Sequence, residues 1–248
     1  MRPVGVPLGA LVSWGLFMSV SFVGCAPPEE PQAQTELRRR MVREQLRGPG
    51  RDIRNERVLQ AMEKVPRHEF VPESVRAHAY EDRPLPIGYG QTISQPFIVA
   101  FMTEQVNPQP GERILEVGTG SGYQAAILAE MGAEVYTIEI LQPLAERAES
   151  TLRRLGYTNV HVRTGDGYLG WPEAAPFDAI LVTCAPDHVP APLVEQLKDG
   201  GRMIIPVGPP GMQELVVLRK REGKLERRAV LPVLFVPMTG PGVEGTKR

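Results

Sequence analysis

Three glycines spaced Gly118-x-Gly120-x-Gly122 follow the apolar run Ile114-Leu115-Glu116-Val117 and precede a helical pattern that opens at Tyr123. Glycine in such a turn lets the backbone reverse sharply and approach a ligand closely. The dinucleotide fingerprint G-x-G-x-x-G needs its third glycine at position 123, which is Tyr123, so a nicotinamide oxidoreductase is disfavoured. Glu139 ends the next apolar run, 21 residues after Gly118, where a carboxylate can accept from both hydroxyls of a ribose. Asp166, between Gly165 and Gly167, follows the third run and can accept from an adenine amino group. The plainer alternatives are a strand-end surface charge for Glu139 and an ordinary Gly-Asp-Gly turn for Asp166. Taken together, Gly118, Thr119, Gly120, Gly122, Glu139, Asp166 and Gly167 form a candidate cradle for an adenosine-containing ligand.

The elements that must position these groups alternate. Short apolar runs at Ile114–Val117, Glu134–Ile138, Val160–Arg163, Phe177–Thr183 and Met203–Val207 predict strands; Tyr123–Met131, Leu144–Leu155 and Leu193–Leu197 predict helices between them. That order predicts an α/β fold with a mostly parallel, doubly wound sheet. Leu215–Arg219 and Leu225–Leu231, split by Glu222-Gly223, predict an antiparallel hairpin at its end. Upstream, helices are expected over Thr35–Gln45, with Thr35 as N-cap, over Asn55–Val65 and over Pro96–Val106. Pro72–Gln95 reads as a long Pro- and Gly-rich loop, and ordered loops of that length are usually functional. One domain over residues 35–240 is expected, divided into an N-terminal substrate-binding extension (35–106) and a cofactor-binding core (107–240), with a tail over 241–248.

With 28 basic and 29 acidic side chains, the chain has no net charge that would mark a nucleic-acid partner. The run Arg38–Arg40 is expected to be a solvated helix face. The four histidines (His68, His78, His161 and His188) show no metal-ligand spacing, so no metal is expected. Cys184, in an apolar run, reads as a buried, unreactive thiol. Residues 1–24 have the layout of a secretory signal: Arg2, an apolar stretch from Leu8 to Val23, and small residues before Cys25. This leader resembles a bacterial lipoprotein signal, with Phe22 where leucine is usual. It implies export, lipidation at Cys25, membrane contact only through that anchor, and a flexible linker over 25–34.

Several longer stretches are more specific than the glycine turn. PRHEFVP (Pro66–Pro72), PLPIGYGQTISQP (Pro84–Pro96), ILEVGTGSGYQAAILA (Ile114–Ala129), GDGYLGW (Gly165–Trp171), PFDAILVT (Pro176–Thr183) and QLKDGGRMIIPVG (Gln196–Gly208) occur in order. In these the chain resembles the protein-L-isoaspartate (D-aspartate) O-methyltransferase family from about Met41 to Gly240. It departs at Ile140, where the family often has arginine, and at Cys184, where alanine is common. The resemblance implies a Rossmann-like methyltransferase fold, S-adenosylmethionine as methyl donor, and partners that are proteins and peptides carrying isoaspartyl residues. It also implies D-aspartyl residues as a further substrate, a monomer, and a cytoplasmic location at odds with the leader. Ser94 is implied as the active-site residue, with Thr92 beside it as a second hydroxyl able to orient an anionic carboxylate. The alternative for both is capping of the next helix. A methyltransferase acting on a small molecule is the competing enzyme reading, since it needs the glycine turn, Glu139 and Asp166 but not the GQTISQP loop. A cofactor-binding module without catalysis is the third.

Overall fold

The computed structural model of the chain describes residues 1, 32–48 and 50–241. Contacts divide the chain into two units, Met1–Glu30 and Pro31–Arg248. The leader and Cys25 lie outside the described residues, as does the tail beyond residue 241.

A seven-stranded sheet forms the centre of the second unit. The first strands are β3 (Arg113–Val117), β4 (Glu134–Glu139), β5 (Val160–Thr164), β6 (Phe177–Val182) and β7 (Leu197–Val207), and they run parallel. The last two, β8 (Gln213–Arg221) and β9 (Lys224–Val233), return antiparallel, and the spatial order is β5-β4-β3-β6-β7-β8-β9. The inner strands β3 and β6 are buried on both faces because both faces are covered, whereas the edge strand β5 buries none of its residues fully. In β3, Ile114 packs into one apolar cluster while its neighbours Leu115 and Val117 pack into the other. That is the period-two alternation of a strand between two layers. Helices α2 (Glu56–Lys64), α3 (Pro96–Val106), α4 (Tyr123–Glu130) and α5 (Gln142–Arg154) cover the first face through Met62, Met102, Ile127 and Leu152. Helix α6 (Ala191–Gln196) covers the second through Leu193.

After β3 the chain builds outward through β4 to β5, then returns to β6 on the other side of β3. The crevice between the carboxyl ends of β3 and β6 is therefore the topological switch point, where open α/β sheets bind ligands.

The amino-terminal part differs from its sequence reading in three respects. Helix α1 (Gln32–Arg40) starts before Thr35 and continues as a π-helical turn through Leu46, so Thr35 lies inside the helix instead of capping it. The last residues of the expected 25–34 linker are thus helical. Arg38 is buried, not solvated: its Nε donates to the Glu63 carbonyl of α2, and its Nη1 lies 3.4 Å from the Tyr80 hydroxyl. Pro72–Gln95 is not an irregular loop. It holds a 3-10 turn over Glu73–His78 and an antiparallel hairpin of β1 (Leu85–Gly88) and β2 (Gln91–Ile93). Its prolines and glycines masked the hairpin. Pro86 is tolerated because it faces outward in a two-stranded ribbon.

Candidate active site

The glycine turn is docked on the end of β4. Amides of Gly118 and Thr119 donate to the Ile138 carbonyl at 2.8 and 3.1 Å, and the Gly120 amide donates to Glu139 Oε2 at 2.8 Å. Glu139 Oε1 accepts from the Leu141 amide at 3.0 Å. A carboxylate oxygen has two lone pairs, so Glu139 holds the turn and keeps acceptor capacity for a ligand. Gly118 sits at φ +100°, and a Cβ there would lie 2.5 Å from Thr183 Oγ1. That hydroxyl donates to the Gly118 carbonyl at 2.6 Å and locks the turn to the end of β6.

A cavity opens above this turn at the switch point. Its wall includes Thr92, Ser94, Gly118, Thr119, Gly120, Glu139 and Gly167, seven of the nine residues singled out from the sequence. The other two stand elsewhere. Gly122 is off the cavity wall and faces α5: a Cβ there would come within 3.1 Å of Leu152 Cδ1 and 3.3 Å of Ala148 Cβ. It serves close packing between α4 and α5. Asp166 is also off the wall, and its Oδ1 accepts from the Tyr168 amide at 2.9 Å, capping the turn Gly167–Leu169. The plain Gly-Asp-Gly turn accounts for that oxygen.

The sequence reading missed Glu116, Ser121, Gln124 and Met238, all of which line the cavity. Glu116 is the most informative. It is fully buried in β3, and its Oε2 accepts from Thr137 Oγ1 at 2.6 Å, which in turn lies 2.6 Å from Thr119 Oγ1. Burial raises the Glu116 carboxyl to about 8; the Thr137 hydrogen bond opposes the rise and the nearby Glu139 charge adds to it. Its Oε1 has no hydrogen-bond partner among the described residues. An acid inside an otherwise apolar strand was the available signal. Cys184 is half-buried on the cavity wall instead of deep in the core, and desolvation pushes its thiol up to about 12, so it is a poor nucleophile.

The two hydroxyls do not cap α3. Its N-cap is Gln95, without a side-chain cap, and the Phe97 amide donates instead to Asp82 Oδ1 at 3.0 Å. Neither Thr92 nor Ser94 commits its hydroxyl to a partner among the described residues. Both also line a second groove, walled by Ile98, Met212, Val233 and Phe235 among others, so the groove and the cavity meet at Thr92, Ser94 and Thr183. Among the described residues no three His, Cys, Asp or Glu side chains converge as a metal site, and no helix is long and apolar enough to cross a membrane.

A Rossmann-like sheet with an antiparallel end, a glycine turn at its switch point and a strand-end carboxylate define the class as an S-adenosylmethionine-dependent methyltransferase. Similarity to known proteins narrows this. The family model for protein-L-isoaspartate(D-aspartate) O-methyltransferase matches residues 38–242. A protein-L-isoaspartate O-methyltransferase of Opitutus terrae is 57% identical over 218 residues, covering 88% of this chain and 93% of the relative. One from Gloeobacter violaceus is 58% identical over 200 residues, covering 80% and 97%. A solved protein-L-isoaspartate O-methyltransferase superimposes with a TM-score of 0.73 at 30% identity, covering 84% of this chain and 66% of that one. A Plasmodium falciparum structure, a putative protein-L-isoaspartate O-methyltransferase in complex with S-adenosyl-L-homocysteine, gives 0.72 at 26% identity, covering 82% and 98%. The chain belongs to the protein-L-isoaspartate(D-aspartate) O-methyltransferase family. It is an enzyme, and S-adenosylmethionine is its methyl donor.

Proposed function

We propose that the cavity and the groove that meets it transfer a methyl group to the free carboxylate of L-isoaspartyl residues in damaged proteins and peptides. The observation that carries this reading is the junction: two uncommitted hydroxyls, Thr92 and Ser94, stand where a peptide-sized groove opens into the cofactor cavity.

The residues present fit the donor. Glu139 would accept from the ribose hydroxyls, and the orphaned, buried Glu116 Oε1 would accept from the ammonium group once it has given up the proton that burial holds on this carboxyl in the free chain. The Gly118–Gly120 turn brings the backbone close to the ligand. When bound, S-adenosylmethionine supplies an electrophilic sulfonium methyl. The acceptor carboxylate has an ordinary pKa near 4 and is already ionised, so no general base is required. What the chain contributes is placement: Ser94 donates to the attacking carboxylate, Thr92 assists, and the apolar groove walls exclude water and hold the flanking peptide extended. The methyl ester is a better leaving group than the carboxylate. It collapses to a succinimide without further catalysis, and hydrolysis returns part of it as normal aspartyl linkages. D-aspartyl residues are read as a further substrate on the family's name. Asp166, on the turn after β5, is read as the acceptor for an adenine amino group.

Ser94→Ala is expected to lower turnover on an isoaspartyl peptide by at least about ten-fold while leaving donor affinity within about three-fold. Glu139→Ala should do the reverse, weakening donor binding first. Native turnover in Ser94→Ala would remove that hydroxyl from the mechanism, and native affinity in Glu139→Ala would remove the ribose contact. Anchorage by lipid at Cys25 and a monomeric state belong to the same reading. A Cys25→Ser chain released from membranes would support the anchor, and one that fractionates like the native chain would exclude it. Light scattering tests the monomer.

A further inference from the structure

The stretch Pro66–Pro72 supplies no group to the cavity wall, yet its arginine is among the most deeply buried large side chains of the molecule. Arg67 has no exposed surface. Its Nε donates to the Ala79 carbonyl at 2.8 Å and its Nη2 to the Ser94 carbonyl at 2.7 Å. Its guanidinium lies 4.8 Å from the centre of the Tyr123 ring. Its Nη1 has no hydrogen-bond partner among the described residues. No carboxylate is within ion-pair distance of it among them.

Burying a guanidinium with no carboxylate in contact is costly, and two carbonyls, an aromatic face and the more distant Asp82 charge offset it only in part. For stability alone, an apolar side chain of similar volume would serve as well or better. The position of its partners explains the arrangement differently. Ser94 follows β2 and carries the hydroxyl placed at the junction of groove and cavity, while Tyr123 opens α4 directly after the glycine turn and lines the cavity. One side chain therefore grips both halves of the site: the main chain that carries the acceptor-orienting hydroxyl and the helix that follows the donor-binding turn. The neighbours of Arg67 reinforce the clamp. Phe70 packs edge-on to Tyr123 at 5.6 Å, and Glu69 pairs with Arg154 of α5 at 2.7 Å.

We propose that Arg67 is a positioning residue for methyl transfer: by bridging the Ser94 carbonyl and the Tyr123 ring, it sets the distance between the Ser94 hydroxyl and the donor cavity. This inference rests on Ser94 orienting the acceptor carboxylate.

The test is a double-mutant cycle between Arg67→Lys and Ser94→Ala, read as kcat and KM for an isoaspartyl peptide, with donor affinity and thermal unfolding measured alongside. Arg67→Lys keeps a cation but cannot reach both carbonyls with a planar fork. The expected result is a folded variant with donor affinity within about three-fold of native and kcat at least about ten-fold lower. Little further loss is expected when the substitution is added to Ser94→Ala, because both changes remove one device. Additive losses would overturn the inference and leave Ser94 in place, as would native kcat in folded Arg67→Lys. Native turnover in Ser94→Ala would overturn both readings. Should Arg67→Lys not fold, the native chain still decides the matter through the Nε–H nuclear magnetic resonance signal of Arg67. That signal is expected to move when an isoaspartyl peptide binds and to stay put with the normal aspartyl peptide; an unmoved signal would overturn the inference.

Discussion

At the scale of single residues, the site separates groups that bind from groups that position. Glu139 serves the glycine turn in the free chain through the amides of Gly120 and Leu141, so its loss is expected to disturb the turn as well as the ribose contact proposed for it. Glu116 has a consequence for pH. Between the ordinary value of 4.5 and about 8, the folded chain keeps on Glu116 a proton that the unfolded chain has released. Stability from this group is therefore fully present at low pH and is lost as pH rises through that window, by at most about 1.4 kcal/mol per pH unit. Glu116→Gln should flatten the fall in stability between roughly pH 5 and 8, as followed by urea unfolding at a series of pH values. A slope unchanged from native would contradict the assignment. The acid in the apolar run of β3 was the one sign of Glu116 in the sequence, and a single acid there also fits a strand with one polar face. Only the partners Thr137 and Thr119 on the neighbouring strand and turn reveal that it is enclosed. Gly122 shows a related limit. Its spacing from Gly118 and Gly120 says that a glycine is required, but not whether a ligand or a helix is what comes close.

The elements were legible where burial dictates pattern. Helix α3 has the bounds its residues suggest, with Pro96 at its first turn and the left-handed Asn107 after its end. Strands β3 and β6 are runs of apolar residues because helices cover both faces. Strand β7 extends back to Leu197, several residues before its apolar run, because Leu197 already pairs with Phe177 of β6 ahead of a shift in register, and such backbone pairing needs no apolar side chains. The β1–β2 hairpin was illegible: four- and three-residue strands carry too little alternation, and its tip runs through Tyr89 at φ +54° between two glycines. The packing of α4 on α5 supplies a prediction at this scale. Gly122→Ala introduces a Cβ at φ +87° and 3.1 Å from Leu152 Cδ1. The left-handed backbone alone should cost about 1–2 kcal/mol, read as a lower midpoint in denaturant unfolding. Native stability in that variant would contradict a left-handed backbone at Gly122 in solution.

Across the whole molecule, the fold separates two tasks between the ends of one chain. The carboxyl ends of β3 and β4 and the residues just after β6 line the cavity, while the amino-terminal extension adds Thr92 and Ser94 to its wall from the β1–β2 hairpin and the residues after it. The carboxyl-terminal segment closes the other side, where the Ala185 amide donates to the Val236 carbonyl and the Met238 amide to the Ala185 carbonyl, each at 2.8 Å. The alternation of strands and helices made the parallel sheet legible, and the long stretches around Ser94 and the glycine turn made the family legible. The convergence of Glu116, Tyr123 and the carboxyl-terminal segment on one cavity, with Arg67 packed behind Tyr123, was not, because it depends on contacts between residues far apart in the chain. The most direct test of the proposed reaction is transfer of a labelled methyl group from S-adenosylmethionine to an isoaspartyl peptide, run beside the same peptide with a normal aspartate. Base-labile label on the isoaspartyl peptide alone is the predicted result. A chain that binds S-adenosylmethionine yet labels neither peptide, or both equally, would contradict it and favour a small-molecule acceptor.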